Sequence, residues 1–301
     1  MGGLDRASGS PGSRLRQLLE RDSILVAPGA YDALTATLVQ RAAFEAVYLT
    51  GSGVSYSSLA RADVGFIGLG EMLEHARWLT AAVSIPVIAD GDTGYGNAVN
   101  VFHTVREYER AGVAAIQLED QTFPKKCGHY LGRQVVSVEE MAGKIRAACD
   151  ARVDPSFVVI ARTDARTVHG LGETLRRVRA YEDAGADIVF AESLESAEEM
   201  RAVTGSVSVP TMANMVEGGR SPLLSAEELQ ALGYKFVIFP NAVTRTVAFA
   251  AAEMLDVLKA EGTTRNHLHR MLSFSQISQL VGASEAKSLE GRYSVISATH
   301  S

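Results

Sequence analysis

Between residues 24 and 239 the chain repeats one unit about eight times: a short β-type apolar run, then a stretch with apolar residues at helical spacing. After a first run at residues 24–27 come VYLT, PVIAD, AAIQLED, FVVIARTDA, DIVFAES, PTMANM and FVIFPN. Several of the helices between them close on Ala-Gly or Leu-Gly just before the next run. Glycine there is the left-handed stop that turns the chain back. Eight strand–helix units are the number that closes a (β/α)8 barrel. An open doubly wound sheet is the other arrangement. The strands are evenly distributed and nearly all end in polar residues, which favours an α/β fold of TIM-barrel type. With 301 residues and 47% apolar content the chain can bury such a core. One domain is expected over residues 21–301. The polar, Gly/Ser-rich residues 1–20 are expected to form a flexible tail without a secretion signal, and Pro28-Gly29 a turn ending the first strand.

A formal net charge of -6, with Lys and Arg scattered rather than striped, leaves no electrostatic footprint for nucleic acid. No apolar run is long enough to span a bilayer, so no membrane partner is expected. Two cysteines, Cys127 and Cys149, make no disulfide framework and suit a reducing, cytoplasmic setting. A small ligand is the expected partner. Beyond the last strand the chain is almost all helix, at residues 241–261, 264–274 and 284–293. A barrel already has its eighth helix, so these apolar faces need another surface, and a homo-oligomer is expected.

The strand ends carry the functional argument: Tyr48 and Thr50, Asp90 and Asp92, Glu119, Arg162 and Asp164, Glu192, then Asn214 with Glu217. Barrel active sites lie at that face. Asp90 and Asp92, two apart on an extended segment, point the same way and can face one hard cation; an Asx-type turn capping the next helix is the plainer reading. Gly91, Gly94 and Gly96 have the wrong spacing for a dinucleotide fingerprint. Thr50-Gly51-Ser52-Gly53 either turns backbone N–H groups toward a carboxylate or phosphate or is simply a tight turn. After Glu119 and Asp120, one short loop gathers Lys125, Lys126, Cys127, Gly128 and His129. Two ammonium groups and an imidazole favour the thiolate of a neighbouring cysteine, so this loop is a candidate for chemistry.

Together GDTGYG, QLEDQ, PKKCGH, ARTDAR, the Glu after VFA and ANMVEGG resemble the isocitrate lyase and phosphoenolpyruvate mutase superfamily, in its short-chain lyase branch. The resemblance covers nearly the whole chain. It implies a modified (β/α)8 barrel, Mg²⁺ (or Mn²⁺), and a homotetramer that swaps C-terminal helices between subunits. It implies that Asp90 holds the metal directly and that Asp63, Asp92 and Glu119 reach it mainly through water. Arg162, Glu192 and Gly128 would contact the substrate, and Thr50, Gly51 and Ser52 would bind a carboxylate with Asn214 opposite. Cys127 would be the proton donor, tuned by Lys125 and His129, and Tyr48 the candidate base, with a metal-bound water as the alternative.

The implied activity is Mg²⁺-dependent cleavage of a 2-hydroxy di- or tricarboxylate, of 2-methylisocitrate or 2-alkylmalate type, to a 2-oxo acid such as pyruvate. The rivals are a carboxyvinyl-carboxyphosphonate phosphorylmutase, whose KRCGH, TGSG and GYGNA stretches are close to those here, and an oxaloacetate hydrolase, disfavoured by Pro240 where those enzymes tend to have serine. RADVGF, where many relatives have LPDLG, and Asn241, where relatives often have leucine, depart from the pattern. A dicarboxylate sensor without turnover and an oligomeric scaffold are the non-enzyme readings.

Overall fold

The computed structural model describes residues 9–126, 128 and 132–294. By internal contacts the chain divides into two compact units, residues 8–246 and a second that includes 247–294.

In the first unit eight parallel strands close into a barrel in sequence order. They are β1 (Leu25–Ala30), β2 (Val47–Leu49), β3 (Val87–Asp90), β4 (Ala115–Glu119), β5 (Val158–Thr163), β6 (Ile188–Ala191), β7 (Thr211–Asn214) and β8 (Phe236–Phe239). β8 pairs with β1 through Leu25↔Phe236 and Pro28↔Phe239. The turn expected at Pro28-Gly29 is therefore absent, because both residues continue β1. Gly29 is needed there for closeness: a Cβ would lie 2.1 Å from the Pro240 carbonyl oxygen.

Strand side chains alternate between two faces. The outward set, including Val47, Leu49, Ala89, Ile116, Leu118, Val159, Ala161 and Val189, packs with the helices. The inward set is apolar at the bottom, where Leu25, Ala27, Tyr48, Ile88, Ala115, Val158, Ile160, Ile188, Phe190, Met212, Phe236 and Ile238 form one cluster. Two residues further along, the same inward register reaches Asp90, Gln117, Glu119, Arg162, Glu192 and Asn214. From β3 to β7 the strands thus pass from packing to chemistry within a few residues.

Part of the expected tail is a helix. α1 (Pro11–Leu19) has Ser10 as its N-cap and proline at its first turn. Its Leu15 and Leu18 join the inward cluster, so α1 closes the bottom of the barrel. Arg16 fixes it to Asp187 at 2.7 Å. The remaining helices of this unit, α2 (Ala33–Arg41), α3 (Gly51–Val54), α4 (Leu69–Ala82), α5 (Ala98–Arg110), α6 (Val138–Ala151), α7 (Arg166–His169), α8 (Leu171–Asp183), α9 (Ala197–Thr204) and α10 (Ala226–Ala231), follow the strands in turn.

α11 (Ala242–Glu261) begins in the first unit and continues into the second, which also holds α12 (Phe274–Leu280) and α13 (Ala283–Tyr293). This second unit exposes Phe249, Leu255, Leu268, Leu272, Phe274 and Tyr293. Among the described residues no helix is long and apolar enough to cross a membrane.

Candidate active site

A cavity of about 450 Å³ opens at the C-terminal ends of the strands, lined by Tyr48, Thr50, Ser52, Asp63, Asp90, Glu119, Lys125, Lys126, Gly128, Arg162, Glu192, Asn214, Pro240 and Asn241 among others. Sequence-predicted residues from six strand ends thus meet Lys125, Lys126 and Gly128 in one hollow, while Gly51, Asp92 and Asp164 contact its lining from behind. Cys127 and His129 lie outside the described residues. Glu217 does not line the cavity; its carbonyl accepts from Arg245 on α11.

Arg162 on β5 anchors the floor. Its Nε and one terminal nitrogen donate to the two oxygens of Asp164, at 2.9 and 3.0 Å. Glu119 and Glu192 stand 3.4 and 3.5 Å from its other faces, and the Phe190 ring lies beneath it at 5.2 Å. Asn214 Nδ2 donates to Glu192 at 2.9 Å. Gly128 fits directly above: a Cβ there would lie 2.9 Å from an Arg162 nitrogen and 3.0 Å from the Glu192 carboxyl carbon.

Across the hollow, Lys125 places its ammonium 2.6 Å from Asp63 and 2.7 Å from Asp92. Asp90 accepts from the Gly51 N–H at 3.3 Å and from Gln117 Nε2 at 3.3 Å, and Gln117 in turn accepts the Tyr48 hydroxyl at 2.8 Å. The 50–53 segment is neither an open anion loop nor a simple turn. Thr50 caps α3, the Gly53 N–H is spent on Thr50 Oγ1, and the Ser52 hydroxyl donates to Asn241 at 2.9 Å.

Charge is unbalanced here. Six carboxyls (Asp63, Asp90, Asp92, Glu119, Asp164 and Glu192) line or abut the cavity, against four cations: Lys125, Lys126, Arg133 and Arg162. Burial, opposed by Lys125 and reinforced by Asp90 and Asp63, pushes the Asp92 carboxyl up to about 7. Burial likewise raises Glu119 well above the carboxylate range. Glu119 Oε1 is buried with no hydrogen-bond partner. A divalent cation would answer both the surplus of negative charge and this unpaired oxygen, so the donor set fits a hard metal ion. Among the described residues no three acids already converge as a preformed cage. Burial and the nearby Asp90 also hold the Tyr48 phenol well above its ordinary range, so in this state it keeps its proton and donates.

Three features escaped the sequence reading. Gln117 links Tyr48 to Asp90 yet sits inside a strand. Arg133 ion-pairs with Asp164. Asp120, next to Glu119, points the other way and accepts from Thr163, Arg177, Tyr181 and the Asp164 N–H. The strand period of two was the signal that would have separated Glu119 from Asp120.

A family model for phosphoenolpyruvate phosphomutase matches residues 15–259. The chain belongs to the phosphoenolpyruvate phosphomutase family. Within that family it is 50% identical over 281 residues to a 2,3-dimethylmalate lyase of Eubacterium barkeri, covering 93% of this chain and 97% of that one. It is 44% identical to a 2-methylisocitrate lyase of Aeropyrum pernix, over 90% of this chain and 87% of the relative. A crystal structure of a 2,3-dimethylmalate lyase superposes with a TM-score of 0.90 at 37% identity, covering 96% and 97% of the two chains. A phosphonopyruvate hydrolase in complex with oxalate and Mg²⁺ superposes with 0.86 at 35% identity, covering 95% and 99%. By this kinship the chain is an enzyme, a carbon–carbon lyase of the family.

Proposed function

We propose that this family member cleaves a 2-hydroxy di- or tricarboxylate of 2-alkylmalate or 2-methylisocitrate type, with Mg²⁺ as cofactor, and releases a 2-oxo acid such as pyruvate. The observation that carries the reading is that a buried guanidinium and a surplus of carboxylates share one rim cavity. Such a pocket suits an anionic substrate together with a divalent cation. Asp90, with Asp63, Asp92 and Glu119 around it, would hold the ion. When bound, Mg²⁺ supplies electrostatic stabilisation of negative charge on substrate oxygens.

The protein's own groups do the rest. Arg162, beside Glu192 and Asn214, takes one substrate carboxylate, and the Thr50 and Ser52 hydroxyls, once turned from their bonds to each other and to Asn241, take the other end. The substrate hydroxyl loses its proton to a base and its oxygen becomes the new carbonyl. The adjacent C–C bond breaks, and its electron pair stays on the departing fragment as a carboxylate-stabilised carbanion. Arg162 faces that developing charge, a preorganised arrangement of the kind that often dominates catalysis. The Cys127 thiol then gives its proton to the carbanion carbon. Tyr48 serves as the base only as the phenolate. Burial opposes that form, while the Arg162 and Lys125 charges favour it.

The exposed apolar side chains of residues 247–294 suit a homotetramer joined through these helices, as the family resemblance implies. The enzyme is proposed to act in the cytoplasm on a free carboxylate. The direct test is pyruvate release from 2,3-dimethylmalate, other 2-alkylmalates, 2-methylisocitrate and oxaloacetate, with and without Mg²⁺. Metal-dependent turnover of a 2-hydroxy acid is expected. No 2-oxo acid from any of the 2-hydroxy acids would sink the proposal.

A further inference from the structure

Arg133 lies on the root of the loop that carries residues 125–128, where no substrate contact would be expected. That root is fixed by backbone pairing: Thr122 donates to the Gln134 carbonyl at 2.9 Å, Val136 to that of Asp120 at 2.8 Å, and Gln121 bridges Val135. From it the Arg133 side chain runs inward and is 1% exposed, and its partner Asp164 is 0% exposed. One terminal nitrogen of Arg133 pairs with Asp164 Oδ1, the oxygen that also takes Arg162, and the other donates to Thr167 Oγ1 at 2.7 Å.

Arg162 alone would sit among three carboxylates, those of Glu119, Asp164 and Glu192. So surrounded, it would have little positive field left for a ligand. Arg133 supplies Asp164 with a second, separate cation. We infer that Arg133 is a positioning residue: by neutralising Asp164 it leaves Arg162 oriented and electrostatically free to take a substrate carboxylate, and so couples the backbone pairing of residues 120–122 with 134–136 to substrate affinity. This inference rests on the proposed carboxylate site at Arg162. The plainer role, a cation that merely compensates a buried acid, predicts lost stability without a change in affinity.

The two are separated on the full chain with Mg²⁺ present and oxalate as the probe, by calorimetry alongside thermal unfolding. Arg133→Gln should weaken oxalate binding about 10-fold, equivalent to about 1.4 kcal/mol, and raise KM for any turned-over substrate in step, with a smaller fall in kcat. Arg133→Lys should recover most of the loss. In an Asp164→Asn background, where no charge is left to neutralise, adding Arg133→Gln should cost no further affinity, as residues acting through one contact are non-additive. If Arg133→Gln does not fold, Thr167→Val, which removes one acceptor of the Arg133 fork without touching charge, should still weaken oxalate about 3-fold, or roughly 0.65 kcal/mol. A folded Arg133→Gln or Thr167→Val with unaltered oxalate affinity, or fully additive losses in the double variant, overturns the inference. So does a wild-type protein that does not bind oxalate at all. Oxalate binding without turnover of any 2-hydroxy acid would remove the lyase reading and leave the role of Arg133 standing.

Discussion

Asp120→Asn tests whether the framework beneath Arg162 is held by a single buried carboxylate. Asp120 is fully buried and receives four donors: Thr163 Oγ1 at 2.7 Å, Arg177 at 2.8 Å, the Tyr181 hydroxyl at 2.7 Å and the Asp164 N–H at 2.9 Å. Asparagine keeps the shape and one acceptor oxygen, enough for the Asp164 N–H. Its NH₂ then faces the other three. The two hydroxyls can rotate, but the Arg177 guanidinium has no acceptor to offer and loses its buried counter-charge. Breaking such a pair costs about 3–5 kcal/mol. Arg177 retains Glu173 at 2.8 Å, which places the loss near the lower bound, about 3 kcal/mol. For a chain of this size that is a fall in Tm of roughly 6–12 °C. The measurement is thermal and urea unfolding of both proteins at equal concentration, because an oligomer's apparent stability depends on concentration. A loss under about 1 kcal/mol, within the ordinary range for a point substitution, would show that the four contacts do not act as one support.

Other expectations follow the same geometry. Cys127→Ser should lower turnover by roughly 10²–10⁴-fold, the contribution of a positioned general acid, while leaving oxalate affinity near that of the wild type; full activity would remove Cys127 as proton donor. Chelation with EDTA should abolish turnover and added Mg²⁺ should restore it, measured by pyruvate release. Because the Asp92 carboxyl is raised in the folded protein from 3.8 to about 7, the metal-free native state holds a proton there that the unfolded chain has shed. The stabilising contribution of that proton is complete below pH 3.8 and lost as pH rises through about 7. Metal-free wild type should therefore lose stability over this window relative to Asp92→Asn, and Mg²⁺ should flatten the difference; parallel pH profiles would refute the assignment. Leu15→Ala, at a fully buried position of α1, should cost about 2.7–5 kcal/mol as a cavity-forming change; urea unfolding with no shift in midpoint would show that α1 does not close the barrel.

Much of this was legible from residues alone. The alternation of β-type runs with helical segments, stopped by glycines such as Gly112 and Gly185 at positive φ, dictates the barrel because each element's period is local. The rim residues were legible because polar groups at the ends of apolar runs have no packing reason to be there. What stayed hidden depends on partners distant in sequence. In α1 the N-cap Ser10, Pro11 and the Leu15–Leu18 spacing were visible, but the need to close the barrel's bottom was not. The continuation of β1 through Pro28 and Gly29 depends on β8 lying alongside. Arg133 and Gln117 look like ordinary loop and strand residues until Asp164 and Tyr48 are brought to them.

The inward face changes from oily to charged along the staves β3 to β6, and this ties correct folding to correct function. Slipping any strand by a single position would turn its whole row of side chains around: Asp90 or Arg162 would be driven into the hydrocarbon layer under the helices, and a neighbour such as Ala89 or Ala161 would take its place in the mouth. Such a misalignment costs so much packing that it cannot persist as a stable but inert molecule. A chain that has closed its cylinder has, by the same act, set its reactive groups to their common height.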